Sequence, residues 1–132
     1  MPVTDGIADL LSRINNAQQR GLKAADIPHS IIKEKILHIL GQEGFLERTE
    51  ILSKGSRKIL RATLRYRRNK IPLISGFKRV SRPSCRVYIS ARDIHPVKAG
   101  FGISVISTSQ GVFSAKEARQ KKLGGELLFE IW

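Results

Sequence analysis

The composition of this 132-residue chain excludes several classes of protein. Hydrophobic residues make up 41% and charged residues 27%, a balance that can bury a core in one domain or two small ones and is not that of a disordered tail. The single cysteine, Cys85, excludes an internal disulfide framework and favours a reducing, cytosolic setting. No apolar run approaches the ~20 residues of a membrane span, and the start lacks the regions of a secretory signal, so we expect neither membrane insertion nor export.

The positive charge is concentrated in the middle of the chain. The formal net charge is +13, and the segment from Lys54 to Arg92 holds 13 basic residues and no acidic one, whereas the rest of the chain carries 11 of each. Such a segment repels itself unless a polyanion lies against it, so nucleic acid is the leading candidate partner. The alternative is a solvated basic face that only improves solubility, which we favour less because acidic residues normally intersperse on such faces.

The first part of the chain predicts two helices separated by an extended link. Residues 5–20 place apolar side chains at helical spacing, and Gly21 is suited to end that helix. Residues 22–28 predict an extended link, because the residue before a proline avoids the helical region. Ser30 then begins a second apolar helical pattern, which ends near residues 41–44.

A β-hairpin follows at residues 45–52 and 57–66, joined by the turn-like sequence SKGS. The second strand alternates between a buried face and a charged face, as a period of two requires. The predicted buried face holds Leu60, Ala62, Leu64 and Tyr66, and the charged face holds Arg57, Arg61, Arg65 and Arg67 together with Ile59 and Thr63.

The second part of the chain predicts short strands and one helix. Residues 67–73 are polar, basic and proline-containing, so we place the boundary there, between an N-terminal α/β subdomain at 1–67 and a C-terminal subdomain at 68–132. The β-like runs beyond it lie at 75–80, 86–90 and 103–107, separated by SRPSC and by a loop that holds His95, Pro96, Gly100 and Gly102.

The helix of this second part is predicted at residues 114–125. Ser114 and Glu117 form a capping box, and Gly124 is suited to a left-handed cap at the other end. The final ELLFEIW predicts a strand in which Trp132 anchors the core. The elements predict an α+β fold of two small subdomains, the first with two helices on a small antiparallel sheet and the second mostly β with one helix.

Three consecutive hydroxyl residues, Ser107, Thr108 and Ser109, begin at the last residue of the run at 103–107. We expect a loop here, because three hydroxyls continue a buried strand poorly. Short donors and acceptors of this kind can approach a sugar-phosphate backbone or a base edge closely. The alternative is an ordinary polar turn, which composition alone favours.

No pattern in the chain predicts an enzyme, a cofactor or a metal site. There is no G-x-S-x-G elbow, the Gly-x-Gly at 100–102 lacks a third glycine, and the three histidines are isolated from each other and from Cys85. A DNA-binding module would need a helix that exposes base-reading side chains, and a membrane-surface protein would need a basic amphipathic helix. Neither pattern is present, because the basic residues fall on predicted strands and loops.

Several motifs together resemble the ribosomal protein S8 family in its bacterial or organellar form. The opening helix carries Ile7-Ala8-Asp9, Arg13-Ile14 and Asn16-Ala17; Glu43-Gly44-Phe45 stands at a helix-to-strand junction; Val80-Ser81-Arg82-Pro83 and Arg86-Val87-Tyr88 stand in the basic segment; and the tail reads ISTSQGVFSAKEARQKKLGGELLFEIW. The tail is the most specific of these, and the resemblance covers essentially the whole chain. The chain departs from the family's usual pattern at Gly6, Asn15 and Ser84-Cys85.

The resemblance implies a two-domain α+β protein without catalytic activity that binds small-subunit ribosomal RNA directly and organises the RNA's central domain during assembly. In such proteins the C-terminal domain makes the main contact with an irregular RNA stem. By position, the resemblance assigns the centre of that contact to Ser107, Thr108 and Ser109, with Tyr88 and Glu126 as neighbours. From the basic segment we expect further RNA contacts by Arg79, Arg82, Arg86, Lys54, Arg61 and Arg65.

The resemblance also implies partners and a location. Bacterial members of the family can bind their own messenger RNA and repress its translation, and the fifth protein of the small subunit packs nearby on the ribosome. We therefore expect a ribosomal protein of the cytoplasm or of an organelle, with ribosomal RNA, neighbouring small-subunit proteins and its own messenger RNA as candidate partners, and with no membrane partner and no cofactor.

Overall fold

The computed structural model describes residues 5–95 and 102–132, which form two compact units. The N-terminal unit comprises Gly6–Leu73, and the C-terminal unit comprises Asp5 with residues from Ile74 onward. The division falls after Leu73, so residues 68–73, which the sequence assigns to the C-terminal subdomain, belong to the N-terminal unit. Part of the predicted loop, including Pro96 and Gly100, lies outside the described residues. Among the residues described, no helix is long and apolar enough to cross a bilayer.

The N-terminal unit packs two helices with a three-stranded antiparallel sheet. Its elements are α1 (Gly6–Gln19), β1 (Ala24–Pro28), α2 (Ile31–Gln42), β2 (Leu46–Lys54) and β3 (Arg57–Leu64), and the strand order is β1-β3-β2. Both helices, the hairpin and the α+β class are as predicted. The segment predicted as an extended link is in fact the edge strand β1, because all five of its residues pair with residues 59–63 of β3.

The helix ends of this unit are set by the residues that the sequence indicates. Gly21 ends α1 with a φ of 68°, and Gly44 follows α2 with a φ of 85°. Ser30 caps α2, because its Oγ accepts a hydrogen bond from the backbone N–H of Lys33 at 3.2 Å. The buried stripe of α2 starts only at Ile36, so the apolar residues of its first turn lie outside the core.

The hairpin has the predicted two-faced second strand. Lys54 pairs with Arg57 across a two-residue turn, in which Gly55 takes a φ of 63° that glycine adopts without strain. Leu60 is fully buried and Leu64 is 5% exposed, which confirms the predicted apolar face. The opposite face carries Arg57 and Arg61 but also Thr63, which is only 7% exposed, and the predicted members Tyr66, Arg65 and Arg67 lie beyond the end of β3.

The C-terminal unit is a five-stranded antiparallel sheet with one short helix. Its elements are β4 (Phe77–Arg79), β5 (Tyr88–Ile89), β6 (Ile103–Thr108), β7 (Gly111–Ser114), α3 (Ala115–Gln120) and β8 (Gly125–Ile131). The order is β4-β8-β6-β7, and β5 also pairs with β8. The final strand is therefore central to this sheet. Helix α3 covers one face, where Ala115 and Ala118 pack with Ile106 and Ile94.

The expected loop at Ser107 and Thr108 is wrong, because both residues belong to strand β6. Ser107 pairs with Glu126 of β8 on one side and with Val112 of β7 on the other, and Thr108 pairs with Gly111. Pairing from both neighbouring strands outweighs the low strand tendency of the hydroxyl run. Only Ser109 and the residue after it form the turn between β6 and β7.

The end of α3 and the start of β8 also differ from expectation. Ser114 caps α3 as predicted, accepting a hydrogen bond from the Glu117 N–H at 3.3 Å, but the left-handed residue at the other end is Lys122, with a φ of 57°. Gly124 is needed for close packing and not as a left-handed cap, because a Cβ there would lie 2.6 Å from the carbonyl oxygen of Ile89. The glycine therefore allows the chain to enter β8 close to β5.

Trp132 is less buried than the sequence predicts. It is of intermediate exposure, and its ring lies against Gly76, where an added Cβ would come within 2.9 Å of the indole. The Trp132 carbonyl accepts hydrogen bonds from the N–H groups of Ser75 and Gly76 at 2.7 and 3.1 Å. The fully buried aromatic anchor of this sheet is Phe129 instead.

Candidate nucleic-acid interface

Three of the predicted RNA-contacting residues form a row across the C-terminal sheet. Glu126 of β8 pairs with Tyr88 of β5 on one side and with Ser107 of β6 on the other. Directly paired residues of antiparallel strands point to the same face, so the three side chains share one face. The neighbouring pair, Ile106 and Leu127, packs in the cluster with α3. The row therefore lies on the face away from that helix.

The end of β6 and the turn that follows it present two hydroxyls and use a third. Thr108 Oγ1 donates a hydrogen bond to the Gly111 carbonyl at 2.8 Å and accepts one from the Gln110 N–H at 3.1 Å, so this hydroxyl closes the turn. The hydroxyls of Ser107 and Ser109 have no hydrogen-bond partner within residues 5–95 and 102–132. Ser109 is exposed, and both serines are available to a ligand.

Glu126 is the one acidic member of the row, and it is held from two sides. Its Oε2 accepts hydrogen bonds from the hydroxyl of Ser81 and from Arg86 Nη1, the latter at 3.0 Å. Burial by itself raises the pKa of Glu126, but the hydrogen bonds from Ser81 and Arg86 and the charges of Arg86 and Arg79 outweigh burial and hold the pKa below its ordinary value. The side chain is therefore a carboxylate at neutral pH, and it can only accept hydrogen bonds.

Tyr88 supplies an aromatic surface at one end of the row. It is 72% exposed, the most exposed of the large hydrophobic residues in the described chain. An exposed tyrosine ring offers a face on which an unpaired base can stack, and its hydroxyl can donate or accept a hydrogen bond.

A tight turn next to this row carries Arg82, one of the predicted cations. Arg82 and Cys85 exchange backbone hydrogen bonds, both at 3.0 Å, around Pro83 and Ser84. Ser84 is not among the residues with positive φ, so the turn forms without a glycine at this departure from the family's usual pattern. Arg82 and the Cys85 thiol are exposed.

Arg79 differs from Arg82 because it forms an ion pair with a carboxylate of the same unit. Its side chain is 13% exposed, and its Nη1 donates to both carboxylate oxygens of Asp5 at 2.7 Å. Its buried Nε has no partner among the described residues. Arg79 acts on the row through its charge, which helps to lower the pKa of Glu126.

The other predicted cations belong to the N-terminal unit. Lys54 is exposed at the end of the β2-β3 hairpin. Arg61 donates to both oxygens of Asp26, at 2.8 and 3.1 Å, and this contact lowers the pKa of the Asp26 carboxyl. Arg65 is exposed and donates to the Gly44 carbonyl at 3.0 Å. Arg61 is thus already paired, whereas Lys54 and Arg65 have no carboxylate within ion-pair distance in the described structure, and Lys54 acts on Asp26 only through its charge.

Comparison with known proteins identifies the family of the chain. The family model for ribosomal protein S8 matches residues 5–132. The chain belongs to the ribosomal protein S8 family. It is 45% identical to small ribosomal subunit protein uS8 of Dictyoglomus thermophilum and 43% identical to that of Streptococcus sanguinis, each over 100% of both chains. The uS8 protein of Petrotoga mobilis is 43% identical over 98% of both chains.

Residue-by-residue reasoning missed the groups that hold this candidate interface of a ribosomal protein S8 chain together. Ser81, Asp5 and Asp26 each bind a predicted site residue, yet Asp26 lies 35 positions from Arg61, Ser81 45 positions from Glu126, and Asp5 74 positions from Arg79. No local spacing indicates such contacts. The only signal in the sequence was the Val80-Ser81-Arg82-Pro83 motif, which contains Ser81 but does not indicate what Ser81 does.

Proposed function

We propose that the chain binds small-subunit ribosomal RNA directly, through the face that carries Tyr88, Glu126 and Ser107, and so helps to organise the central domain of that RNA during assembly. As a member of the ribosomal protein S8 family it is a structural component of the small subunit of a cytoplasmic ribosome and not an enzyme. The observation that supports the proposal is the row itself, since three strands bring an aromatic ring, a carboxylate and a free hydroxyl together.

The chemistry of the row suits an irregular RNA stem. A regular A-form helix hides its base edges in a deep major groove, whereas unpaired bases and ribose hydroxyls are accessible. Ser107 and Ser109 can donate to or accept from such groups, and Tyr88 can stack on a displaced base. Glu126 accepts hydrogen bonds only and repels phosphate, so the row favours bases and riboses over the backbone.

Cations beside the row would supply affinity that does not depend on sequence. Arg82 is exposed and has no carboxylate partner in the described chain, and Arg86 is half exposed although it binds Glu126. Contacts from such residues to phosphates position a protein on RNA. Lys54 and Arg65 offer the same contact from the N-terminal unit. Binding to the chain's own messenger RNA and packing against the fifth small-subunit protein stay predictions.

The test is to footprint the purified protein on its own small-subunit ribosomal RNA. We expect protection of one irregular stem in the central domain, with weaker protection for Ser107→Ala. Ser104→Ala is a matched control, because Ser104 lies on the same strand but is only 4% exposed, and we expect it to leave the footprint intact. An absence of protection with wild-type protein, or equal protection by both variants, contradicts the proposal.

A further inference from the structure

Ser81 is a buried residue to which the sequence assigns no function, and it lies between the Arg82 turn and the row. It is fully buried, and its backbone N–H donates to the Leu127 carbonyl of β8 at 3.1 Å. Its hydroxyl oxygen accepts a hydrogen bond from the Val87 N–H at 3.2 Å and donates one to Glu126. Ser81 thus connects the residue that precedes β5 with the carboxylate at the centre of the row.

The donor and acceptor inventory fixes the direction of these bonds. A backbone N–H can only donate, so the Ser81 oxygen must accept from Val87, and its single hydrogen is left for Glu126. Arg86 supplies a second donor to the same carboxylate oxygen, Oε2. The other oxygen, Oε1, has no hydrogen-bond partner within residues 5–95 and 102–132. One half of the carboxylate is held by the protein, and the other half remains free to accept.

We propose that Ser81 is a positioning residue for RNA recognition, holding Glu126 and the start of β5 so that Oε1 accepts a hydrogen bond from an N–H or O–H donor of the RNA. The inference rests on the proposed function and adds a residue that does not itself touch the RNA. The donor is an amino or imino group of an unpaired base or a ribose 2′-hydroxyl, because a phosphate has no hydrogen to give at neutral pH.

The first experiment measures the Ser81 to Glu126 contact in the free protein. The other charged or titratable groups that act on Glu126 or Arg86 are Arg79, Tyr88 and Asp5. Because loss of the Ser81 donor removes stabilisation of the charged form, Ser81→Ala should raise the titration midpoint of the Glu126 carboxyl, followed by carbon NMR.

The matched control for this titration is Ser114→Ala. Ser114 is another buried serine of the same unit, and its hydroxyl accepts one backbone N–H, from Glu117, without contact to Glu126. It should destabilise the unit without moving the Glu126 midpoint. An unmoved midpoint in Ser81→Ala, or an equal change in the control, refutes the coupling.

The second experiment measures RNA binding at pH 7, with the stem protected in the footprint and a fully paired stem of equal length. We expect Ser81→Ala to lose about fivefold to tenfold in affinity for the irregular stem and little for the paired one, since one charge-assisted hydrogen bond is misplaced. Ser114→Ala should keep the preference. 2′-Deoxy substitution at the irregular positions then separates a ribose donor from a base donor.

The outcomes keep the two proposals apart. If wild-type protein binds neither stem, the proposed function fails. The NMR titration then still decides whether Ser81 stabilises the Glu126 carboxylate. If wild-type protein prefers the irregular stem and Ser81→Ala has the same preference, the positioning role is overturned. Should Ser81→Ala not fold, Glu126→Gln replaces it, because this variant keeps the shape but loses the charge. It must then lose the preference for the irregular stem for the proposal to stand.

Discussion

Gly125 is the position at which the fold constrains the candidate interface most directly, and replacing it with alanine is the sharpest test. Gly125 precedes Glu126 on the central strand and pairs with Ile89. A Cβ added there would lie 2.9 Å from the carbonyl carbon of Ser107 and 3.1 Å from Cα of Thr108, with the Ser107 carbonyl oxygen closer still. All three atoms are backbone, so no side-chain rotation can relieve the contact.

The cost of Gly125→Ala can be worked from this geometry. Carbon atoms pack best at about 3.5 to 4.0 Å, so β6 must move away from β8 by roughly 0.6 Å or more. Overpacking of this kind costs about 1 to 3 kcal/mol, and each pairing hydrogen bond that is lost adds about 1 kcal/mol. We therefore expect a loss of about 2 to 4 kcal/mol in the stability of the C-terminal unit, together with separation of Ser107 from Glu126.

Urea denaturation followed by Trp132 fluorescence measures this loss, because Trp132 is the only tryptophan and reports on the C-terminal unit. Gly41→Ala is the control. Gly41 lies in α2 with nothing within 4 Å of an added Cβ, so alanine should stabilise the N-terminal unit, by about 0.5 to 1 kcal/mol, and leave RNA affinity unchanged. If Gly125→Ala unfolds at the wild-type urea concentration and binds the irregular stem normally, the reasoning about close strand approach is wrong.

Three further predictions concern the core, the carboxylates and the cations. Leu64→Ala should cost about 2 to 5 kcal/mol of unfolding free energy, measured by far-ultraviolet circular dichroism in urea, and an unchanged midpoint would show that the wrong strand face was assigned to the core. Folding lowers the pKa of Glu126 and Asp26 below their ordinary values of 4.5 and 3.8, so the unfolded state binds more protons there. The stabilisation that these two carboxylates provide should accordingly be fully present above about pH 5 and be lost as the pH falls through their lowered folded-state pKa values. Glu126→Gln should lose less stability in acid than wild type, and equal acid sensitivity of the two proteins contradicts this. For RNA binding, log K should fall against log salt with a slope of roughly −4 to −6, and Arg82→Gln should flatten it by about one unit, whereas a wild-type slope near zero removes the electrostatic account.

Local signals were sufficient to predict most of the N-terminal unit. The α2 cap at Ser30, the glycine turn of the hairpin and the alternation around Leu60 each depend on residues close in sequence, and the structure confirms all three. Strand β1 was missed because its residues carry no clear period-two pattern. It is a strand only because β3, more than 30 residues later, offers a free edge.

The C-terminal unit was harder to predict because its organisation is non-local. The last two residues of β6, where composition alone favours a turn, and strand β7, which no sequence pattern predicts, are strands through pairing. The row is likewise a result of strand register, since 19 positions separate Tyr88 from Ser107 and another 19 separate Ser107 from Glu126. From the sequence, only the family resemblance predicted that these three residues belong to one site. Ser81 could not be recognised by either route, since its role depends on which carboxylate β8 places beside it.

The acid-free segment proves less self-repulsive than its sequence predicts, because carboxylates reach it from outside. Asp26 pairs with Arg61, Asp5 with Arg79 and Glu126 with Arg86, and the other cations of the segment have no carboxylate within ion-pair distance in the described structure. The paired arginines contribute to the fold, so the unpaired ones are left to attract phosphates. Because Glu126 of the row offsets the charge of the neighbouring Arg86, the positive field at the row is weaker than at Arg82. In the proposed complex this difference directs the RNA backbone to the flanking cations and leaves the row to bases and riboses, so that charge sets the orientation before any hydrogen bond to a base forms.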